Sequence, residues 1–312
     1  MTATTARKDI AAAHLPGRRE ARAVDRWAGL VEGWLRGHTI LVYAFLYLPI
    51  FVVVLFAFND TNRRVTAWDG FSVKWFGVAL GDSVVQKAVF NSFAVAIPNA
   101  ILATAFGTMA ALGLQRARKS VRLLFDALTY TSIIVPEIVI ALSTLVLFAT
   151  GFDVVETFFG IKLNFGHPTI IAAHVLFNTS LVLLLVRARL SGMDRTLVEA
   201  SSDLFATPWR TFRQITLPML LPAIVAGFLL AFTFSFDDYV ITTFVSGPGS
   251  STLPLFIFGQ VKRGVTPETN AVATMILAFT VGMLLIGQLL LMWQARRQGR
   301  RGAGVASIVA EG

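Results

Sequence analysis

The sequence predicts an all-α integral membrane protein with six transmembrane helices. Hydrophobic residues make up 55% of the chain, charged residues make up 14%, and the mean hydropathy is +0.68. This composition is unlike that of a water-soluble domain. Six apolar runs approach the ~20 residues that a helix needs to cross the hydrocarbon core. They have almost no polar residues at helical spacing, which excludes a soluble helical bundle. The runs are residues 39–58, 93–114, 124–149, 169–186, 222–245 and 271–293.

The distribution of basic residues predicts the orientation of these spans. Of the 27 Lys and Arg residues, 20 lie before the first run, after the last run, or in the segments 115–123 and 187–221. Under the positive-inside rule these segments and both termini are cytoplasmic, in a multi-pass protein of the cell (inner) membrane. The net charge of +9 therefore follows from topology. Because the charge is spread over loops, we expect no nucleic-acid partner.

Three segments follow from this topology. Residues 1–36 are predicted to form a cytoplasmic tail in which Trp27 and Trp34 belong to an apolar face at helical spacing. This pattern is typical of an amphipathic helix in the inner headgroup region, with the polar end of the first span as an alternative. Gly37 is a candidate break between the two. Residues 37–293 form the transmembrane domain, and residues 294–312 form a basic cytoplasmic tail.

The polar segment between the fourth and fifth runs, residues 190–218, is called the Glu199 loop below. Its sequence predicts two helices joined by a turn. Asp194 is a good N-cap for the first helix. Thr207 and Pro208 begin the second, with a hydroxyl cap and a proline at the first helical position. We expect Pro218 to end the second helix, because the residue before a proline is disfavoured in the helical region.

The Glu199 loop resembles the cytoplasmic coupling loop of permeases in the ATP-binding-cassette importer superfamily. That loop has a Glu-Ala-Ala segment, then a glycine, then a hydrophobic residue before Leu-Pro. Ser201 and Phe205 stand where alanine and glycine are usual. The resemblance implies the type I importer permease fold and a short helix, containing Glu199, that inserts into a cleft of a nucleotide-hydrolysing subunit. The candidate ATPase-coupling residues are Glu199, Ala200, Ser201, Asp203, Leu204, Phe205, Ala206, Leu217 and Pro218.

Phe205 poses a conformational problem at this turn. A glycine there would adopt a left-handed conformation without steric penalty, whereas a residue with a Cβ does so at a cost of about 1 kcal/mol or more. Either the turn is made differently or Ala206 takes the unusual conformation. The ring of Phe205 has two possible environments, a hydrophobic groove on a partner or this chain's own spans.

Three carboxylates lie well inside the predicted spans, away from the span ends. Glu137 follows Pro136 in the third run, roughly 18 Å along its helix at 1.5 Å per residue, and Asp237 and Asp238 interrupt the fifth run. Such charges usually face a cavity or pair with a cation, because each costs roughly 2.5–3.5 kcal/mol at the centre of a span. No Lys or Arg lies within the predicted spans. The missing partner is a base of another subunit, a proton or a cationic solute. Alternatively, the two aspartates mark the polar end of a shorter fifth span.

Around these carboxylates the sequence resembles the inner-membrane permeases of spermidine/putrescine importers. The resemblance implies a small cationic solute, a polyamine, and a path that includes Glu137, Asp237, Asp238 and Tyr239. Another small amine, an aminophosphonate or an opine-like solute is an alternative cargo. The similarity extends over residues 41–293 and is carried by the segments 58–60, 136–137, 235–241, 244–249, 253–254 and 264–271.

The sequence contains no recognisable motif for nucleotide hydrolysis or other catalysis. It has no Gly-Lys dipeptide, so the phosphate-binding G-x-x-x-x-G-K-[ST] loop is absent. We therefore expect a non-catalytic subunit without its own cofactor, with ATP and Mg²⁺ bound by a partner. Cysteine is absent and the histidines lack metal-ligand spacing, so we expect no metal site. We expect His174 to be a hydrogen-bonded interior residue.

The resemblance also implies the partners. These are a second permease, forming a heterodimeric pore, two ATPase subunits and an extracytoplasmic solute-binding protein, all assembled in membrane lipid. The distant alternative is a proton- or sodium-coupled secondary transporter that works without an ATPase.

Overall fold

The computed structural model describes residues 18–61, 67–194 and 196–310; within them, side-chain surroundings are described for residues 31–289 and for 292. These residues are nearly all helical, and the β pairing among them is an isolated bridge between Asn59 and Phe71. A π-helix, Phe212–Thr216, joins α8 to α9. The helices are α1 (Arg18–Ala57), α2 (Lys74–Gly81), α3 (Ser83–Arg116), α4 (Lys119–Ile134), α5 (Glu137–Phe159), α6 (His167–Ser191), α7 (Thr196–Asp203), α8 (Pro208–Thr211), α9 (Leu217–Phe236), α10 (Val240–Val245), α11 (Leu253–Arg263) and α12 (Pro267–Ala310).

Six helical segments in the described part of the chain are long and apolar enough to cross a membrane. The predicted number of spans is therefore confirmed, and four of the six lie close to their predicted positions, each beginning earlier than predicted. The third and fifth differ. The six segments are Val31–Ala57, Ser83–Arg116, Glu137–Phe159, His167–Ser191, Pro208–Phe236 and Pro267–Leu289.

The third predicted span, residues 124–149, is not a single helix. α4 ends at Ile134, and α5 begins at Glu137 after two extended residues, Val135 and Pro136. Proline removes a backbone donor and disfavours the helical conformation of the residue before it, so the chain bends inside a run whose hydropathy shows no break. Glu137 therefore opens a helix, and the prediction that it lies about 18 Å along one is wrong.

The fifth span ends earlier than predicted. α9 stops at Phe236, and Asp237, Asp238 and Tyr239 form the connection to the short helix α10. The two aspartates thus lie between helices, where backbone N–H groups at the start of α10 need acceptors.

The chain up to Leu55 is one of two compact units. Within it, α1 passes through Gly37 without interruption, so the predicted break at this glycine is absent. Glu32 and Arg36 form an ion pair of 2.5 Å one helical turn apart. Trp27 lies among the residues whose side chains are not described, and the interfacial amphipathic helix remains a prediction.

The second unit, from Phe56 onward, has its core between α3, α6 and α9. Small side chains on α3, among them Ala96, Ala100 and Ala103, are completely buried. At Gly107 the helices are so close that an added Cβ would lie 2.8 Å from the Cβ of Val182 in α6. Small residues allow membrane helices to approach closely enough to gain packing energy, since lipid supplies no hydrophobic driving force between them.

Buried amides connect the same three helices. The Asn99 side chain of α3 donates a hydrogen bond to the Ala231 carbonyl of α9 at 3.0 Å. Asn178 of α6 donates in turn to the Asn99 side-chain oxygen at 3.3 Å. At one end of α3, Asn91 donates to the carbonyls of Gly249 and Ser251. These bonds fix the register of α3, α6 and α9, on which both candidate sites depend.

Candidate functional site

The first candidate site is the Glu199 loop, which begins with a capped helix. The Asp194 carboxylate accepts a hydrogen bond of 2.9 Å from the Thr196 N–H, which confirms the predicted cap of α7. This bond, with a smaller contribution from the Thr196 side chain, holds the pKa of Asp194 below its usual value. Glu199 lies in the first turn of α7, where the helix dipole favours a carboxylate, and its side chain is exposed.

α7 ends in a Schellman motif with Phe205 in the left-handed position. The N–H of Ala206 donates to the Ser201 carbonyl at 3.0 Å, and the N–H of Phe205 donates to the Ser202 carbonyl at 2.9 Å, the 6→1 and 5→2 bonds of this motif. Phe205 has φ 56° and is the one non-glycine residue with positive φ in the described part of the chain. The predicted alternatives, a different turn or an unusual conformation at Ala206, are both wrong.

The Phe205 ring does not contact this chain's own spans. Its side chain is 95% exposed, and the neighbouring Leu204 and Trp209 are 81% and 68% exposed. Of the two environments considered from the sequence, packing against the chain's own spans is thus wrong. Among the residues that the structure describes, burial of the ring does not offset the penalty of about 1 kcal/mol or more for a Cβ-bearing residue in the left-handed region.

A buried pair of hydroxyl groups joins the two helices of the loop. Ser201 Oγ lies 2.9 Å from Thr211 Oγ1, and Ser201 also donates to the Val198 carbonyl at 2.7 Å. Both hydroxyl-bearing residues are buried. With Ser201 donating to Val198, the Thr211 hydroxyl donates to Ser201 Oγ, which satisfies this buried group. The serine that departs from the alanine of the coupling-loop pattern therefore fixes α7 against α8.

The second helix of the loop continues into the fifth span. Thr207 caps α8 through its side chain, and Pro208 occupies the first turn, as predicted. The predicted end at Pro218 is wrong, because the π-helix leads directly into α9 with Pro218 in its first turn. The Leu217 N–H reaches back to the Phe212 carbonyl, an i→i+5 bond that widens the ladder just before a residue that cannot donate.

The charged groups of the loop face solvent. Among the residues that the structure describes, Glu199 and Asp203 form no ion pair, and Arg210 donates to Gln214 at 3.3 Å. The loop borders a cleft of about 810 Å³ whose other walls are the ends of α3 and α6. Of the predicted coupling residues, Glu199 and Ala206 line this cleft, while Leu204 and Phe205 project from the loop.

The second candidate site surrounds the break between α9 and α10, where Asp238 is enclosed by hydrogen bonds. It accepts from the Thr242 N–H and the Thr242 hydroxyl, each at 2.7 Å, and from the Ile241 N–H at 3.3 Å. His174 of α6 lies 3.0 Å from it and 2.7 Å from the Ser235 hydroxyl. With Nε2–H donating to Asp238, Nδ1 accepts from Ser235. Asp238 thus caps α10 and binds it to α6.

The other two carboxylates are open to solvent. Asp237 is exposed although its neighbour Asp238 is only 8% exposed. Glu137 is exposed at the start of α5, and its carboxyl is close enough to that of Asp238 for the two to interact electrostatically. Tyr239 packs its ring against Phe258, with centroids 4.1 Å apart. The structure therefore brings Glu137 near Asp238, whereas Asp237 is not among the hydrogen-bond partners of His174, which are Ser235, Asp238 and Thr242.

Two further ionisable residues near these helices have partners. His174 is a hydrogen-bonded interior residue, as predicted. The sequence analysis placed no base within the spans, yet Arg187 lies in the spanning helix α6 and forms an ion pair with Asp126 of α4. This ion pair was not predicted because Asp126 lies two residues inside the third predicted span, whereas Arg187 lies one residue beyond the end of the fourth. The available signal was that an acidic and a basic residue stand at ends of two predicted spans that lie on the same side of the membrane.

Comparison with known proteins identifies the family. A sequence profile described as "Binding-protein-dependent transport system inner membrane component" matches residues 103–300. The chain belongs to this family. It is an inner-membrane component of a transport system, in agreement with its six spans.

Two relatives of the chain are described as permease proteins of transport systems. The chain is 40% identical over 260 residues to the "Putrescine transport system permease protein PotI" of Escherichia coli (strain K12), covering 83% of this chain and 90% of that protein. It is 35% identical over 254 residues to the "Spermidine/putrescine transport system permease protein PotC" of the same strain, covering 81% and 92%.

Solved structures show the fold of this family member. A chain of a bacterial ABC transporter involved in the import of the acidic polysaccharide alginate matches with a TM-score of 0.70, at 14% identity, over 89% of this chain and 99% of that one. A chain of the inward-facing methionine transporter MetNI matches with a TM-score of 0.54 at 15% identity, over 67% and 95%. The predicted importer-permease fold is thereby confirmed.

Proposed function

We propose that this protein is one permease subunit of an ATP-driven importer for a polyamine, putrescine or spermidine. The observation that carries the proposal is the 40% identity to a putrescine permease over 90% of that protein's length. That alignment covers 83% of this chain, whereas the structural relatives for alginate and methionine are at most 16% identical.

In this proposal the Glu199 loop receives the force of ATP hydrolysis. Partner ATPase subunits bind ATP and Mg²⁺, and α7 with Glu199 docks in a cleft of one of them. Closure of the ATPases displaces the loop. Because Ser201 bonds to Thr211 and α8 continues through the π-helix into α9, the movement passes to the fifth span without a flexible joint.

The polyamine path runs past the open carboxylates. Glu137 and Asp237 have accessible oxygens for an ammonium group, whereas Asp238 is occupied by Thr242, Ile241 and His174. We assign direct contact with the cation to Glu137 and Asp237. Asp238 then acts as a positioning residue that holds the α9–α10 break, with Tyr239 beside it.

The assembly has further members. A second permease completes the pore as a heterodimer, and an extracytoplasmic solute-binding protein delivers the polyamine. The absence of a Gly-Lys dipeptide in this chain supports assigning ATP hydrolysis to separate subunits. Membership of a binding-protein-dependent family does not support the ion-coupled secondary transporter, which would need no such protein.

The test is ATP hydrolysis by the complex purified on this subunit and placed in lipid, with its binding protein present. We expect putrescine or spermidine to stimulate hydrolysis, and Glu199→Ala to abolish the stimulation. Absence of stimulation by either polyamine, with Glu199 still required for hydrolysis, would favour the alternative cargo, another small amine.

The path assignment is tested by uptake of labelled putrescine into vesicles. Glu137→Gln and Asp237→Asn should each reduce uptake at low polyamine concentration, because each removes a charge that attracts the cation. Polyamine uptake that is the same in both variants and the wild type would contradict the path.

A further inference from the structure

The tip of the Glu199 loop exposes an aromatic ring in a strained conformation. Phe205 alone among the described non-glycine residues has a positive φ, and its side chain is 95% exposed. A glycine at this position would form the same Schellman motif without strain. The isolated subunit therefore gains nothing from the ring, either in backbone energy or in burial.

The ring is part of an exposed apolar patch that is held in place. Leu204, in the turn after α7, and Trp209, on α8, are also largely exposed. The buried Ser201–Thr211 hydrogen bond joins the two helices on either side of this turn. A preorganised aromatic side chain of this kind loses little entropy on binding, and aromatic residues dominate the binding energy of many protein interfaces.

The surrounding charge selects the kind of surface that covers the patch. α7 carries Glu199 and Asp203 and no basic residue, and neither acid forms an ion pair within the described residues. The exposed Arg210 and Arg213 lie on α8 and the π-helix, so α7 itself presents two negative charges and no positive one to the anionic inner leaflet, which repels it. A protein surface with an apolar pocket and a basic rim matches both the ring and the two carboxylates.

We propose that Phe205 is an anchor that inserts into an apolar, basic-rimmed pocket of the partner ATPase, and that the ring makes this permease selective for an ATPase with such a pocket. This inference rests on the proposed function, since it requires the ATPase partner. It adds to coupling through Glu199 a determinant of partner choice that a glycine at the same turn lacks.

The first test measures binding of the ATPase to the assembled permease pair in lipid discs. Phe205→Gly and Phe205→Asn both remove the ring, and both residues tolerate the left-handed conformation. We expect each to weaken binding about ten-fold or more, as loss of an aromatic anchor does. Phe205→Tyr, which keeps the ring, should bind within about three-fold of the wild type.

The outcomes separate this inference from the proposed function. Wild-type permease that binds no ATPase overturns both. Wild-type binding with equal or tighter binding of Phe205→Gly and Phe205→Asn overturns only the anchor, because relief of strain would then be the whole effect of the ring.

A second test identifies what covers the patch. The chain has no cysteine, so Leu204→Cys introduces a single thiol beside an intact Phe205 ring. We expect this thiol to react with a water-soluble maleimide in lipid discs and to be protected at saturating ATPase. Ser120→Cys, on exposed α4 outside the loop, should react equally in both states. Protection of Leu204→Cys by lipid alone would overturn the proposal.

Discussion

Asp237 and Asp238 are adjacent in sequence and opposite in environment. Asp238 is surrounded by donors from α6 and α10, and its carboxylate satisfies N–H groups that the start of α10 leaves without helical partners. Asp237 is exposed. Two identical side chains at adjacent positions thus differ in environment, one buried in a hydrogen-bonded cluster and one exposed.

This contrast predicts different effects on stability. Asp238→Ala should lower the free energy of unfolding by roughly 3 kcal/mol or more, because it leaves His174 and the Thr242 donors buried without their acceptor. Asp237→Ala should change it by no more than about 0.5 kcal/mol, as is usual at exposed positions. Thermal unfolding in detergent compares the two variants, and similar melting temperatures would contradict the assignment of Asp238 as the structural residue.

Asp194 gives the Glu199 loop a dependence on pH. Its folded pKa is depressed by the Thr196 N–H, so its stabilisation of α7 is present above the unfolded value of about 3.9 and is lost as the pH falls through the lower folded value. We expect hydrogen-exchange protection of α7, corrected for intrinsic exchange, to be constant from about pH 7 to 5 and to fall below about pH 4. Asp194→Asn keeps a capping oxygen and should remove the pH dependence.

At the scale of elements, the close approach of α3 to Val182 of α6 requires a glycine. Gly107 leaves space for Val182, whereas Gly113 on the same helix has no atom within 4 Å of an added Cβ. Because both positions carry glycine, replacing each with alanine separates the effect of packing from the effect of helix propensity.

The expected result is a difference in sign. Gly107→Ala should destabilise the protein by about 1–3 kcal/mol, because the new methyl group overpacks the crossing. Gly113→Ala should be neutral or stabilise it by up to about 1 kcal/mol, since alanine is the better helix former. Unfolding midpoints in the same detergent decide the matter, and a stabilising Gly107→Ala would show that the crossing is looser than described.

The elements also show what sequence can and cannot predict. Apolar length gives the number of spans, and the caps at Asp194 and Thr207 follow from local hydrogen-bond chemistry. The break at Val135 lies inside a continuous apolar run, so only the proline hints at it. The π-helix before Pro218 forms because α9 continues directly from the loop. The rule for a residue that precedes proline considers only local backbone conformation, so it does not predict this continuation.

For the molecule as a whole, the orientation of the spans is testable because the chain has no cysteine. The positive-inside rule puts Ser120 on the cytoplasmic side and Lys162 on the other. Ser120→Cys should react with a membrane-impermeant maleimide only in inverted vesicles, and Lys162→Cys only in right-side-out vesicles or cells. The reverse pattern would invert the topology and place the Glu199 loop outside.

The candidate sites were predicted in unequal measure. The Glu199 loop was located from a contiguous motif, while the left-handed Phe205 became evident only from backbone angles. The cluster around Asp238 comes from three segments of the chain, because His174 and Thr242 bond to Asp238 and Ser235 bonds to His174. No local pattern brings residues 64 positions apart together, and only the packing of α6 against α9 does so.

The π-helix between α8 and α9 also sets the azimuth of the fifth span. An α-helix rotates by about 100° per residue, and the wide turn at Phe212–Thr216 contains one residue more than a regular ladder closes over. Absorbing that residue into regular α-helix would rotate Ser235 and Asp237 about the span axis by about 100° relative to α8. Hydrogen bonding at one end of the fifth span therefore sets the angular position of the Asp237 carboxylate at the other end, with almost no change in the length of the span.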